Sequence, residues 1–363
     1  MKKLKRTTTS IKDVAKKAGV SISTISRSLN ESGYVKKELK EKIKNIANEL
    51  NYKPNTIARC LRTRRSNTIG VIIPDLSNPY HTETIEAIEK IAKKANYEVL
   101  VTCTFYNKEM EKKQVDILKN RMIDGLIFVH GYYNYNYIDE IYSHEKIPLV
   151  CIDRIGVKNN IPLVTLDHEK AVKEAVKYLY ENGHRKIAYM VYYDSEKIEP
   201  ITYEKIKGYL NGLSENNLKY YDKYLYNTNP KGSKNKSNLG SINEMNLSYN
   251  YVKQNFISLK ENDAILTAGD MDAIGACKAL KEYGIKIPEH ISVMGFNNIS
   301  ISGFFVPSIT TVDNPAYEKG QKAMNLLLRK IETIKSGKID DKFSLKIIIP
   351  SKIVVRESTK SIK

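Results

Sequence analysis

The stretch SIKDVAKKAGVSISTISRSLNESGYVKKELKEKIKNIANELNYKPNTIARCL, residues 10–61, carries the most specific pattern in the chain. Its first apolar residues recur at helical spacing and stop at Gly19, the residue type best able to take the turn that closes a short helix. A second helix is predicted over residues 22–30 and a third over residues 37–50, each with its apolar residues on one face. Three such helices can close a small hydrophobic core.

The second predicted helix has one apolar side and one polar side. Ser21 can cap its start, and Ile25 and Leu29 share the apolar side. The polar side carries Ser23, Ser26, Arg27 and Asn30. Two short helices joined by a Gly-Val turn, the second with a polar face that includes an arginine, are typical of a helix-turn-helix that reads a DNA major groove.

Positive charge is concentrated on the same part of the chain. Residues 1–65 contain 18 Lys and Arg but only 5 Asp and Glu, a net charge of +13, whereas the other 298 residues hold 41 basic and 36 acidic groups. A field of one sign on a helix-turn-helix is the footprint of phosphate binding. The alternative is ordinary solvated surface in a lysine-rich chain. The agreement between charge and helix pattern favours DNA binding, with residues 1–9 expected to be a disordered basic arm.

Several other function classes lack their sequence signals. The chain has no apolar run of about 18 residues and no apolar stretch after its first basic residues, so we expect neither a membrane span nor an export signal, and a cytoplasmic protein. The four cysteines are far apart and form no CxxC pair, which argues against disulfides and zinc. Phosphate-binding loops, HExxH and GxSxG are absent, so no enzyme, cofactor or metal site is predicted.

From residue 69 onward, short apolar runs alternate with amphipathic helices. Strands are predicted over residues 69–74, 99–104, 125–129, 149–152, 163–166, 187–192, 264–267 and 292–296. Helices are predicted over residues 82–95, 108–120, 169–182, 270–283 and 317–335, the last followed by two short strands. The alternation predicts two doubly wound parallel α/β lobes, divided near residues 159–162, with a cleft between them. Residues 216–250 lack periodicity, and an irregular surface insertion of unknown role is predicted there, centred on 227–247.

The sequence also resembles the lactose and galactose repressor family of bacterial transcription regulators. IKDVAKKAGVSISTISRSLN, Gly33-Tyr34-Val35, LNYKPNTIARCLRT and TIGVIIPDLSNPY are similar to that family's headpiece, hinge and first core strand. The likeness continues in DGLIF, VCIDR, NGHRKIAYM, GDMDAIGACKAL and ISVMGFNN. KIKGY, residues 205–209, makes the chain most similar to the catabolite control proteins.

The resemblance implies a domain organisation. A helix-turn-helix headpiece would cover residues 10–54, a hinge helix and linker 55–67, and a core resembling periplasmic binding proteins 68–363. The N-lobe would hold 68–162 and 297–313, and the C-lobe 163–296 and 314–357, with crossings near Leu166, Asn297 and Asp313. The core would bind the effector and form the dimer.

A repressor of carbohydrate or carbon-catabolite genes that binds a palindromic operator as a homodimer is the function that the resemblance implies. The expected DNA contacts are Ser21, Ile22, Ser23, Thr24, Ser26, Arg27, Asn30, Tyr34, Asn55, Ala58 and Leu61. Leu61 would wedge into the central base step, the alternative being a core leucine. A plain solute-binding receptor with the same core fold is the second hypothesis, but it would need no headpiece.

The residues expected at the effector site are Tyr80, His81, Arg154, Lys205, Asp270 and Asn297. Sugar- and purine-sensing family members have an arginine at the position of Lys205 and an aspartate at that of Asn297. A neutral amide cannot accept two hydroxyls as a carboxylate does, and a lysine lacks the planar fork of arginine. A neutral sugar is therefore less expected than a sugar phosphate or a less hydroxylated ligand. A phosphorylated phosphocarrier protein stays open as a corepressor, while His130 and His184 are expected to be satisfied surface groups.

Overall fold

A computed structural model describes residues 9–29, 33–52, 65–130, 135–144, 147–154, 161–193, 198–219, 225–227, 241–336 and 346–362. The chain divides into two compact units, Met1–Ser66 and Asn67–Lys363. Among the described residues, no helix combines the length and the apolar character needed to cross a membrane.

The first unit contains the three predicted helices. They are α1 (Ile11–Ala18), α2 (Ile22–Leu29) and α3 (Lys37–Glu49). The buried core between them consists of Val14, Ala15, Ala18, Ile25, Ile43, Ile46 and Ala47. Every helix contributes to this core, so the small unit buries its apolar faces without help from the rest of the chain.

Local hydrogen bonds fix the ends of the first two helices. The backbone N–H of Ser10 donates to Asp13 Oδ2 at 2.8 Å, and this bond lowers the pKa of Asp13. At the other end of α1, the Gly19 N–H donates to the Ala15 carbonyl at 3.0 Å. Ser21 Oγ accepts from the Thr24 N–H at 3.2 Å and so caps α2 as expected. Hydrogen bonds therefore stabilise both the end of α1 and the start of α2, on either side of the turn.

The second unit contains two six-stranded sheets. The strands are β1 (Thr68–Ile73), β2 (Glu98–Cys103), β3 (Gly125–Val129), β4 (Leu149–Ile152), β5 (Leu163–Leu166), β6 (Ile187–Val191), β7 (Leu225–Asn227), β8 (Ala264–Thr267), β9 (Ser292–Asn297), β10 (Thr310–Asp313), β11 (Lys346–Ile349) and β12 (Lys352–Val354). The first sheet has the order β11-β5-β4-β3-β1-β2 and the second β12-β10-β9-β8-β6-β7. All pairs are parallel except β10 with β12. The fold class predicted from the sequence is confirmed.

Helices cover both faces of each sheet. They are α4 (Pro79–Lys94), α5 (Lys108–Asn120), α6 (Tyr135–His144), α7 (His168–Glu181), α8 (Pro200–Glu215), α9 (Ser241–Leu259), α10 (Asp270–Glu282) and α11 (Ala316–Ser336). In the first lobe, α4 and α11 pack on one face and α5 and α6 on the other. In the second lobe, α7 and α8 cover one face and α9 and α10 the other.

The predicted division of the lobes is wrong in its second half. β10 lies beside β9 in the second sheet, with Thr310 opposite Met294, so residues 297–313 belong to the second lobe. α11 packs on the first sheet, and β11 pairs with β5 there. Residues 163–166, 316–336 and 346–349 are therefore part of the first lobe. The chain crosses after Leu166 and Asp313, as expected, and again between β11 and β12, but not near Asn297.

The predicted irregular stretch over residues 216–250 is also only partly correct. Residues 225–227 form β7, and 241–250 begin the helix α9. Residues 228–240, most of the predicted insertion, lie outside the described part. The sequence of α9 is rich in Asn, Ser and Tyr, which hides its periodicity, but Val252 and Leu259 are fully buried against the second sheet's helical layer. The helices α6 and α8 are further helices between strands, in addition to the helical stretches named from the sequence.

A close approach of two helices requires the glycine of KIKGY. A Cβ atom at Gly208 would lie 2.2 Å from the backbone oxygen of Glu169, far below a van der Waals contact. Gly208 therefore lets α8 pack directly on α7. This packing places Lys205, one turn earlier on α8, beneath the carboxyl ends of the second sheet.

Candidate functional site

The exposed face of α2 is the candidate DNA-reading surface. Ile22 is 43% exposed, Ser21, Ser23 and Arg27 are exposed, and Thr24 and Ser26 are half-buried. Ile25 on the opposite side is fully buried in the headpiece core. The helix is thus held by its apolar side and presents its polar side to solvent.

Arg27 packs along the turn that follows α2. A Cβ atom at Gly33 would lie 3.4 Å from Arg27 Cδ, and Gly33 has a φ of +94°. A glycine at this position takes the left-handed backbone and leaves the arginine stem its room. Tyr34, next in the chain, is 88% exposed. Arg27 and Tyr34 are therefore both exposed, as a DNA contact requires.

Four predicted DNA contacts are outside the described residues. These are Asn30, Asn55, Ala58 and Leu61, and the predicted hinge helix is outside them too. Their roles stay predictions.

In the core unit, the carboxyl ends of both sets of strands meet at one cleft. Tyr80 at the start of α4 packs against Met271 and Ile299 of the second lobe. The Ser300 N–H of the second lobe donates to Glu83 Oε1 of the first at 3.3 Å. Ligands of doubly wound proteins bind at the carboxyl ends of the strands, so this cleft is the candidate effector site.

Asp153, directly after β4, is the most connected polar group in the cleft. Lys319 Nζ donates to both of its oxygens, at 2.6 and 2.7 Å, and the Tyr80 hydroxyl also donates to it. Thr165 Oγ1 donates at 3.0 Å, and His168 Nε2 of the second lobe lies 3.3 Å away. Burial would raise the pKa of Asp153, but Lys319 and His168 outweigh it and hold the pKa well below 3.8.

Three histidines lie near this carboxylate, and the pKa of each is lowered. Burial lowers the pKa of His168 to about 4 and that of His130 to about 3. His81 Nδ1 lies 3.0 Å from the Asp75 carbonyl, and burial lowers its pKa as well. The sequence-based expectation of surface positions is wrong for His184, which is 1% exposed, and His130 is half-buried. The pattern of single histidines gave no sign of burial.

The structure separates five of the six predicted effector residues into two groups. Tyr80, His81 and Lys205 lie around the cleft with Asp153. Arg154 instead forms a buried bidentate ion pair with Glu111, at 2.8 and 2.9 Å. Asp270 accepts from the Ile299 N–H at 2.8 Å and from Thr311 Oγ1 at 2.6 Å. Arg154 and Asp270 therefore form their hydrogen bonds with other groups of the protein.

Lys205 and Asn297 also have protein contacts. Lys205 Nζ donates to the Ala268 carbonyl at 3.0 Å and lies 3.9 Å above the centre of the Phe296 ring. Burial lowers the pKa of Lys205 to about 8. Asn297, with a φ of 109°, accepts from Asn314 Nδ2 at 3.0 Å. The ammonium group of Lys205 therefore lies against the carboxyl ends of β8 and β9 in the second lobe.

The sequence does not predict the acidic group near Tyr106. Burial and then the charges of Glu244, Asp75, Glu199 and Asp272 raise the pKa of the Tyr106 hydroxyl. Asp272 could be identified in sequence only as a carboxylate at a strand end, and Glu244 only as part of the supposed insertion. Their convergence depends on the tertiary fold and has no local sequence signal.

Comparison with known proteins agrees with both units. Residues 66–354 match the family of periplasmic binding proteins and the sugar binding domain of the LacI family. Residues 10–55 match the bacterial regulatory proteins of the lacI family. The chain belongs to the LacI family of bacterial regulatory proteins.

Individual members of the family match over nearly the whole chain. Catabolite control protein A of Priestia megaterium is 30% identical over 357 residues, covering 96% of this chain and 99% of that protein. The ribose operon repressor of Halalkalibacterium halodurans is 32% identical over 356 residues, covering 97% of each. The lac repressor dimer, solved with operator and the anti-inducer ONPF, has a TM-score of 0.78 at 23% identity, covering 97% of this chain and 99% of that one. The last likeness shows the LacI-family fold.

Proposed function

We propose that this LacI-family protein is a cytoplasmic, sequence-specific DNA-binding repressor that acts as a homodimer on a palindromic operator. Its DNA binding would be controlled by a ligand in the cleft of the core. The exposed polar face of α2 on an independently packed, strongly basic headpiece carries the proposal. A solute-binding receptor with the same core would have no use for this face.

The chemistry of α2 suits base reading. Arg27 can donate two hydrogen bonds to the O6 and N7 atoms of guanine, the commonest specific contact in the major groove. Ser23 can donate or accept, whereas Ile22 offers an apolar contact such as one with a thymine methyl group. The residues Ser21, Thr24, Ser26 and Tyr34 would contact the backbone. By family resemblance, Asn30, Asn55, Ala58 and Leu61 would add further contacts.

Selection of DNA from a pool of randomised palindromes tests this function directly. The full chain should enrich one palindrome, and its affinity for that site should fall steeply with salt because phosphate contacts release counterions. Recovery of unrelated sequences with equal affinity would contradict a sequence-specific regulator.

A second copy of the chain is the proposed partner of an apolar patch on the second lobe. The patch, called the 301–306 patch, consists of Ile301, Phe304 and Val306, which are 49%, 86% and 73% exposed. A single headpiece reads too few base pairs to select a genomic site, so two copies must act together. The related lac repressor was solved as a dimer on its operator. Self-association through the 301–306 patch would supply that symmetry.

The family supports a role in carbon metabolism. Both whole-chain relatives named above are regulators whose names refer to catabolite control or to ribose. A sugar, a sugar phosphate or a phosphorylated phosphocarrier protein are the effectors suggested by resemblance. No enzymatic activity is proposed, because DNA binding by the headpiece accounts for the function.

A further inference from the structure

The first crossing between the two lobes is one residue long. β5 of the first lobe ends at Leu166, and α7 of the second lobe begins at His168. Asp167 between them caps α7, since its Oδ1 accepts from the Lys170 N–H at 2.9 Å. Because a regular element begins on either side, the angle between the lobes depends on the backbone of these few residues.

One carboxylate oxygen contacts both ends of this crossing. Asp153 Oδ1 accepts from Thr165 Oγ1 at 3.0 Å on the first-lobe side, and His168 Nε2 lies 3.3 Å from the same oxygen on the second-lobe side. A carboxylate only accepts hydrogen bonds, so Nε2 of His168 is the donor. The Asp153 N–H donates to the Val164 carbonyl at 3.0 Å, which fixes the Asp153 backbone to β5. A change in the direction of α7 relative to β5 therefore displaces His168 from Asp153.

A second crossing is anchored to the same carboxylate. β10 of the second lobe ends at Asp313, and α11 of the first lobe begins at Ala316. Lys319, in the first turn of α11, donates to both oxygens of Asp153, at 2.6 and 2.7 Å, and its side chain is completely buried. Asp153 thus contacts residues that flank two of the crossings by which the chain passes between the lobes.

Two partners of Asp153 are themselves packed against the second lobe. The Tyr80 hydroxyl donates to Asp153, and Tyr80 belongs to the apolar cluster that includes Met271 of the second lobe. The ring of His168 is stacked on Phe296 of β9, with the ring centres 6.0 Å apart. The position of this carboxylate is therefore linked to the packing between the lobes.

Asp153 is an anion, which strengthens its hydrogen bonds. Burial would raise its pKa, but the charge of Lys319 outweighs burial, and the pKa is held well below 3.8. Hydrogen bonds to an ionised acceptor are about twice as strong as those between neutral groups. Separation of His168 from Asp153 inside the protein removes one such bond, so it is costly.

The first lobe alone supplies enough donors for this carboxylate. Lys319 donates twice, and Thr165 and Tyr80 donate once each, which matches the four acceptor positions of an ionised carboxyl group. A purely structural role inside the first lobe would need no contact with His168. The contact that reaches the second lobe is the one that this role leaves unexplained.

We propose that Asp153 and its partners Thr165, His168 and Lys319 form a lobe lock, which fixes the angle between the two lobes by holding the residues beside two crossings. Asp153 and His168 are positioning residues in this lock, because they act through the orientation of the lobes. The inference deepens the proposed function, on which it rests for the link between lobe angle and DNA binding. An effector that changes the lobe angle has to displace His168 from Asp153.

Two substitutions of His168 separate the hydrogen bond from the packing. His168→Phe keeps a ring against Phe296 but has no N–H for Asp153, whereas His168→Gln keeps an N–H donor. Hydrogen exchange of the full chain, followed by mass spectrometry, measures lobe opening at residues 80–84 and 299–303, which contact each other between the lobes. Exchange there should be about tenfold faster in His168→Phe and like that of the parent in His168→Gln.

The central strands β3 and β8 provide the internal reference. A loss of global stability speeds exchange in these strands as well, whereas lobe opening affects only the segments between the lobes. Thr165→Val removes a donor to Asp153 but keeps a β-branched side chain, and it should also speed exchange between the lobes relative to the strands. Thr310→Val is the matched control, because the buried hydroxyl of Thr310 forms its hydrogen bonds within the second lobe. Its ratio should equal that of the parent.

A folded His168→Phe protein whose inter-lobe segments exchange like those of the parent would overturn the lobe lock. Equal opening in His168→Phe and His168→Gln would overturn it too, because the N–H donor would then be irrelevant. If His168→Phe does not fold, Thr165→Val decides: unchanged exchange between the lobes in that variant would contradict the proposal.

DNA binding is measured separately from lobe opening. A His168→Phe protein with open lobes and an altered affinity for the palindrome selected by the parent supports both proposals. Open lobes with an unchanged affinity would keep the lobe lock and contradict control of DNA binding by the core. A parent chain without specific DNA binding would contradict only the proposed function, since hydrogen exchange is measured without DNA.

Discussion

Lys319 Nζ lies 2.6 Å from Asp153 Oδ1 and 2.7 Å from Asp153 Oδ2, and both side chains are almost completely buried. The two residues come from distant parts of the chain, α11 and the end of β4, and meet in the first lobe. His168, the first residue of α7 in the second lobe, contacts the same carboxylate. The ion pair with Lys319 therefore holds the Asp153 carboxylate in place for its contact with His168 of the second lobe.

Lys319→Met should destabilise the core by about 3 to 5 kcal/mol, because Asp153 would stay buried without its cation. The measurement is the free energy of unfolding in urea at neutral pH. Lys322→Met is the matched control: it lies on the same helix and is exposed, so its effect should be within about 0.5 kcal/mol. A Lys319→Met protein as stable as the control would contradict the role of the pair.

The stability of the core should depend on the ionisation of Glu244. Its pKa is raised to about 7 in the folded protein, first by burial, whereas an unfolded glutamate has a pKa of about 4.3. The folded state thus holds the proton more tightly, and its stabilisation is fully present below about pH 4.3 and is lost as the pH rises through about 7. Glu244→Gln removes this dependence.

The test compares urea midpoints of Glu244→Gln and the parent at about pH 5 and about pH 8. The difference should grow in favour of the variant with rising pH. Glu181→Gln, at an exposed carboxylate at the end of α7, serves as the control and should leave the pH profile of the parent unchanged. A difference that stays constant, or one that favours the parent at high pH, would show that Glu244 ionises normally.

Local patterns were sufficient to predict most strands and the headpiece. β3, β4, β5 and β8 have the predicted bounds because each is a short, fully buried apolar run. The core of the headpiece follows from apolar residues at helical spacing, such as Val14 and Ile25. In both cases the buried residues can be identified from the apolar pattern of the neighbouring sequence.

Long-range pairing could not be predicted in the same way. The sequence of a short strand such as β10 does not indicate which sheet it joins, so the prediction places residues 297–313 in the wrong lobe. The cleft shows the same limit. Glu244 and Asp75 are ordinary surface residues by sequence, and only the meeting of two lobes brings them together. Arg154 matched a family motif, yet its partner Glu111 was invisible in the sequence.

Arg27→Ala should weaken binding to the selected palindrome by about 1 to 3 kcal/mol per contact. Arg27 is the only arginine on α2, and its stem is supported by the turn at Gly33. Because the change removes base reading, affinity for scrambled DNA should fall much less, which lowers the ratio of specific to non-specific affinity. Fluorescence anisotropy on both DNAs at one salt concentration measures that ratio.

Lys12→Ala is the control for a loss of charge alone. Lys12 is exposed on α1, outside the predicted reading helix. If it binds phosphate, its removal should lower both affinities together and leave the ratio unchanged. An unchanged ratio for Arg27→Ala would place base recognition elsewhere.

Phe304→Asp should prevent dimerisation through the 301–306 patch. The side chain is 86% exposed in a single chain, so the fold loses little when it is replaced. In a dimer, the phenyl ring would be buried against the second copy, and a charge there would be desolvated without a partner. Sedimentation should therefore give a dimer for the parent and a monomer for the variant at micromolar concentration.

Ile257→Asp is the control, since Ile257 is 75% exposed on α9 and outside the patch. A Phe304→Asp protein that remains dimeric, or an Ile257→Asp protein that dissociates, would move the interface away from this patch. Loss of the dimer should also lower the affinity for the full palindrome far more than the affinity for a half-site. In a dimer, binding of one headpiece raises the effective concentration of the second headpiece at the other half-site.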